Sequence, residues 1–134
     1  MPFSIKRNND GGLIVKATGD ISFDDLSQFK ASLYQSSSDV INTHYQILNY
    51  TDVTELDLSH EDIWQIALQD KAALQVNPHM LIAIVSNKDV IYGLSRMWSA
   101  YTETSPLNTG VYRDIEAAQE WIMQRQIAQA LSIR

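Results

Sequence analysis

The sequence predicts an α/β domain: a mixed β-sheet of about five strands, opened by an N-terminal hairpin and wrapped by about four helices. Three observations carry this reading. First, FSIKR (Phe3 to Arg7) and GLIVKAT (Gly12 to Thr18) are β-type runs joined by NNDGG, whose Asn, Asp and Gly tolerate the backbone angles of a tight turn. Second, helical and strand patterns alternate beyond the hairpin, and strand–helix–strand units of one hand leave their strands parallel. Third, MLIAIVS (Met80 to Ser86) is a mostly apolar run of seven residues. A membrane span needs about 20, so the run suits a strand buried on both faces.

The first helix is expected from Phe23 to about Tyr34. Ser22 and Asp25 form an S-x-x-D capping pattern, Leu26, Phe29 and Leu33 recur at helical spacing, and SSSD closes the segment. HYQILNY (His44 to Tyr50) reads as the next strand. The stretch TDVTELDLSHED, Thr51 to Asp62, carries five acidic side chains and no basic one, and reads as a solvated turn leading to a helix that starts near Ser59. Ser59 and Asp62 repeat the capping pattern, and Ile63, Ile66, Ala67 and Leu74 supply the apolar side. Ser86 and Asp89 give the same spacing before a helix expected over residues 87–102, with Val90, Ile91, Leu94, Met97, Trp98 and Tyr101 as its stripe. TGVYR (Thr109 to Arg113) reads as a short strand, and Asp114 caps a last helix.

Composition narrows the function classes. With 134 residues, 45% of them hydrophobic, the chain suits one core. A net charge of -6 with dispersed Lys and Arg argues against nucleic acid and against anionic membranes. Cysteine is absent, which removes disulfides and thiolate chemistry, and the start MPFSIKRNND lacks the apolar core of a signal peptide, so the expected location is cytoplasmic. There is no G-x-S-x-G elbow and no glycine-rich phosphate loop. His44, His60 and His79 lie far apart, outside any metal-binding spacing. No cofactor and no metal are expected.

Four segments, GDISFDDL (Gly19 to Leu26), LIAIVSNKD (Leu81 to Asp89), YGLSRMWSAY (Tyr92 to Tyr101) and VYRDIEAAQEWI (Val111 to Ile122), resemble the SpoIIAA-like proteins in order and spacing. These are related in fold to STAS domains, the module of bacterial anti-sigma factor antagonists. What the resemblance implies is the fold. In anti-sigma factor antagonists the strand matching ILNYTDVTELDLS ends in Asp-Ser-Ser-Gly, where the first Ser accepts phosphate. By position, Asp57 matches the Asp, Leu58 stands at the acceptor, Ser59 matches the second Ser and His60 replaces the Gly. The resemblance thus implies a switch loop whose acceptor hydroxyl is missing, with Ser59 left as a helix cap. Asp57, Glu61 and Asp62 as a cation site is the competing reading, but carboxylates at a helix start already suit the backbone dipole.

Two further features invite a partner. Lys88, Tyr92, Arg96 and Ser99 recur at steps of four, four and three, giving one helix face two cations and two hydroxyls; with Trp98 beside them, Lys88, Tyr92 and Arg96 would hold an apolar or amphipathic anion. The competing readings are a solvated helix face and ordinary core packing. In the last helix, Ile115, Ala118, Trp121 and Ile122 share one side, whereas Met123, Ile127, Ala130 and Leu131 gather on another. Residues 1–122 are therefore expected to form the domain and 123–134 a helical extension, with the second stripe either packing on another subunit across a two-fold axis or covering its own domain. The reading that follows is a non-enzymatic STAS-like interaction module, a homodimer, with a small ligand carrier as the alternative. An enzyme using Asp57, His60 and Glu61 ranks third.

Overall fold

The computed structural model describes residues 2–102 and 108–132. Five strands form one sheet in the order β1 (Phe3–Arg7), β2 (Gly12–Ser22), β3 (Tyr45–Asp57), β4 (Leu81–Val85) and β5 (Thr109–Tyr112). The first pair is antiparallel and the other three pairs are parallel. At the hairpin, Gly11 takes a positive φ of 84°, and Gly12 lies directly beneath the Tyr45 ring, where any Cβ would collide with it.

Sequential parallel strands joined by crossovers of one hand place their connecting helices on one face. That face carries α1 (Phe23–Leu33), α2 (Ser37–Ile41), α3 (His60–Val76) and α4 (Asp89–Thr102); α5 (Ile115–Ser132) packs alone on the other. The larger core accordingly lies between the sheet and α1, α3 and α4, with Leu13, Val15, Leu48, Ile82 and Ile84 supplied by the strands. The smaller core sets Ala118 and Ile122 of α5 against Tyr45, Ile47, Leu81, Ala83 and Val85. Every residue of β4 is buried, as expected for a central parallel strand. The edge strand is held to the larger core by Phe3 stacked on Phe29, ring centroids 4.3 Å apart.

Three expectations are corrected. The acidic stretch is not a turn: β3 continues to Asp57, with Glu55 and Asp57 paired to Asp20 and Ser22 of β2. Thr51 to Asp57 reads as polar because β4 ends at the level of Asn49, so this half of the strand has a neighbour on one side only. SSSD does not simply end the first helix either: Ser36 caps the short α2, which is too brief to show a helical period. The other caps sort by geometry. Ser22 with Asp25 and Ser59 with Asp62 form reciprocal capping boxes, and Asp114 accepts from the Ala117 amide at 2.8 Å. Ser86 instead accepts from the Lys88 amide, one residue before α4, and not from Asp89.

Candidate functional site

Three places carry the chemistry: the β3–α3 corner, a buried polar cluster behind it, and the outer flank of α5. At the corner only Leu58 and Ser59 separate strand from helix. The Ser59 hydroxyl accepts from the Asp62 amide at 3.1 Å while the Asp62 carboxylate accepts from the Ser59 amide at 2.9 Å. Leu56 and Leu58 are half-buried against the larger core, whereas Asp57, His60 and Glu61 are exposed. Glu61 accepts from Gln65 one turn on. Among the described residues, no three His, Asp or Glu side chains gather as a cation site would need.

Behind the corner lies a cluster that the sequence reading missed. Asp70 of α3 is fully buried and accepts three hydrogen bonds: from the Lys30 ammonium at 2.9 Å, the Tyr34 hydroxyl at 2.6 Å and the Trp98 indole at 2.8 Å. Gln46 of β3 donates in turn to the Tyr34 oxygen at 2.9 Å. One carboxylate thus fastens α1, α3 and α4 together and, through Tyr34, reaches the sheet. The Tyr34 ring is partly exposed but its hydroxyl lies inside; burial first, then the charge of Asp70 and the hydrogen bond to it, hold its pKa well above the ordinary value. Tyr50 is raised for the same leading reasons, burial and then the Asp70 charge. The signal was legible: Lys30 sits between Leu26 and Leu33 on an apolar stripe, and Asp70 between Ala67 and Leu74.

The four residues read as a ligand site part company. Lys88 donates to the Thr51 and Val53 carbonyls at 3.1 and 2.7 Å, filling in where β3 has outrun β4. The Tyr92 ring lies 3.8 Å from the Arg113 guanidinium, which also pairs with Asp89 at 2.8 Å. Arg96 is exposed, and Trp98 is buried in the larger core. Lys88, Tyr92 and Arg96 do not line the cavity that Trp98 borders. Ser99, on the same face, shares a hydrogen bond with the Thr109 hydroxyl at 2.8 Å.

On α5, a single unbroken helix, Met123, Ile127 and Leu131 are 57%, 56% and 58% exposed, and Ala130 is exposed beside them. The helix end is tied down by Gln129, which donates to the His79 carbonyl at 2.9 Å. Residues 133 and 134, the last two of the expected extension, lie outside the described residues.

The strand order and the helix arrangement recur in two solved structures. One, of the anti-sigma factor antagonist SpoIIAA in its unphosphorylated form, matches with a TM-score of 0.60 at 10% identity, covering 90% of this chain and 97% of that one. The chain has a SpoIIAA-like fold. The second, of the Bacillus cell fate determinant SpoIIAA in the phosphorylated form, matches with a TM-score of 0.59 at 12% identity, covering 90% and 98%. No family model and no curated protein matches the sequence. In this chain α3, which begins at the β3–α3 corner, and α5 pack on opposite faces of the sheet. Among the described residues no helix is long and apolar enough to cross a membrane.

Proposed function

We propose that the chain is a non-enzymatic, STAS-like regulatory module that works through protein contacts and does not use a phosphorylated serine. Both structures of like fold are of SpoIIAA, an anti-sigma factor antagonist and Bacillus cell fate determinant, one of them in the phosphorylated form. The observation that carries the reading is the corner: Leu58 offers a hydrocarbon packed toward the core, and the Ser59 hydroxyl is engaged as a helix cap. A phosphate on Ser59 would sit among the carboxylates of Asp57, Glu61 and Asp62, which repel it.

The contact surface is the outer flank of α5, and its occupant is a second copy of the chain. Met123, Ile127 and Leu131 are spaced at i, i+4 and i+8, so two antiparallel helices place Ile127 against its own symmetry mate and Met123 near Leu131. The same helix segment from Trp121 to Ser132 carries no acidic residue, in a chain of net charge -6. Copies that repel elsewhere therefore meet here without an acid facing an acid. No chemistry beyond binding is assigned to the surface.

The corner reading is tested with Ser59→Asp and Ser59→Ala. Aspartate is itself a good cap, so Ser59→Asp keeps both stability and the mass of the assembly; Ser59→Ala loses about 1 kcal/mol but keeps the assembly. A change of assembly or of partner binding in Ser59→Asp alone would show that the corner reads a negative charge, and the proposal would fall.

A further inference from the structure

β1 is an outer strand of the sheet, and its ladder to β2 fixes which of its backbone groups are used. The Thr18 amide donates to the Pro2 carbonyl at 2.9 Å and the Asn8 amide to the Gly12 carbonyl at 2.8 Å. Bonded positions alternate in an antiparallel pair, so Pro2, Ser4, Lys6 and Asn8 face β2, while Phe3, Ile5 and Arg7 turn N–H and C=O away from the sheet. Side chains alternate with the same period. Those of Phe3, Ile5 and Arg7 form one wall of a groove of about 440 Å³, with Phe29 and Leu33 of α1 on the other. Ile5, in the middle of the strand, is 50% exposed. The open hydrogen-bonding edge and the groove thus belong to the same three residues, and a strand laid against β1 would find backbone partners and a slot for every second side chain.

Charge selects that strand. On the face of β1 away from the groove stand Ser4 and Lys6, and Lys6 is exposed and forms no ion pair among the described residues. Two carboxylates near this face are already engaged: Asp52 pairs with Lys16 at 2.9 Å, and Asp10 accepts from the Tyr45 hydroxyl at 2.8 Å. In the groove itself Arg7 is offset by Asp25 and Asp39, which leaves the apolar middle to decide what enters. A second copy offering its own β1 would set a serine or another lysine beside Lys6, and a cation on an open edge discourages such pairing. A strand with acids on that face meets the opposite charge instead.

We infer that the open edge of β1 binds an extended segment of a partner protein in which apolar residues alternate with acidic ones. The apolar side chains enter the groove against Ile5, Phe29 and Leu33, the carboxylates stand beside Lys6, and the backbone pairs with Phe3, Ile5 and Arg7. This goes beyond the proposed function, adds a second surface to it, and does not depend on self-association through α5.

The test is amide hydrogen exchange followed by NMR on the full chain, with an acetylated and amidated hexapeptide alternating glutamate and valine and with its lysine–valine counterpart. The glutamate–valine peptide binds saturably in the millimolar range and slows exchange at the Phe3, Ile5 and Arg7 amides, while the Ser4 and Lys6 amides, already bonded to β2, change little. The lysine–valine peptide binds at least about threefold more weakly. Ile5→Pro removes the central outward N–H without taking a bond from β2, and abolishes binding. Should that variant not fold, Lys6→Glu decides, weakening the glutamate–valine peptide about threefold. The inference is overturned by shifts that never saturate, by protection that does not alternate along β1, or by a lysine–valine peptide that binds as tightly. Outward amides protected in the free chain and released on dilution would assign the edge to a second copy and overturn it as well.

Discussion

Lys30 and Asp70 show what a single pair of misfit residues does. Each is a charge set into an apolar stripe, 40 positions apart, and together with Tyr34 and Trp98 they form one satisfied cluster. Removing one partner leaves a buried charge uncompensated, so Lys30→Met is expected to lose about 3–5 kcal/mol in urea unfolding despite its similar volume. Trp98→Phe removes one donor to Asp70 and is expected to lose about 1–3 kcal/mol. The same cluster sets the alkaline limit. Tyr34 and Tyr50 hold their protons in the fold well beyond the pH at which an unfolded chain releases them, about 10. Tyr112 is pushed up to about 12, burial being the main cause. Below pH 10 both states are protonated and these groups leave stability level. Above it the unfolded chain binds fewer protons than the fold, so stability falls by about 1.4 kcal/mol per pH unit for each of Tyr34 and Tyr50, and by less for the half-buried Tyr112. Unfolding measured at stepped alkaline pH should show that decline, shallower in Tyr50→Phe.

At the scale of elements, legibility followed locality. The hairpin turn, the Ser22 and Ser59 capping boxes and the run of β4 were readable because each depends on residues within a few positions. The second half of β3 was not, because Thr51 to Asp57 becomes a strand by pairing with Thr18 to Ser22, about 35 positions upstream, and it exposes most of its side chains. Only Val53 is buried outright in that half, too little to reveal a period of two. Lys88 illustrates the same limit. Its spacing with Tyr92 and Arg96 was visible, but its commitment to β3 carbonyls depends on where β4 stops. Replacing it should therefore act on the sheet: Lys88→Met removes the donor to the Thr51 and Val53 carbonyls and is expected to speed hydrogen exchange across Thr51 to Asp57, while Arg96→Met leaves it unchanged.

For the whole molecule, the alternation of strands and helices was enough to give the α/β class, and crossovers of one hand then explain why four helices crowd one face and α5 stands alone on the other. That lone helix is amphipathic twice over: its first turns bury Ala118 and Ile122, and its later turns present Met123, Ile127 and Leu131 outward. The second stripe was legible from spacing, whereas its occupant is a matter of the assembled state. The most direct measurement is the solution mass of the full chain by size-exclusion chromatography with light scattering, compared with Ile127→Glu. The account predicts twice the chain mass for the parent and one chain mass for the variant, with unchanged circular dichroism. Equal masses for the two proteins, whether both single or both double, would contradict it.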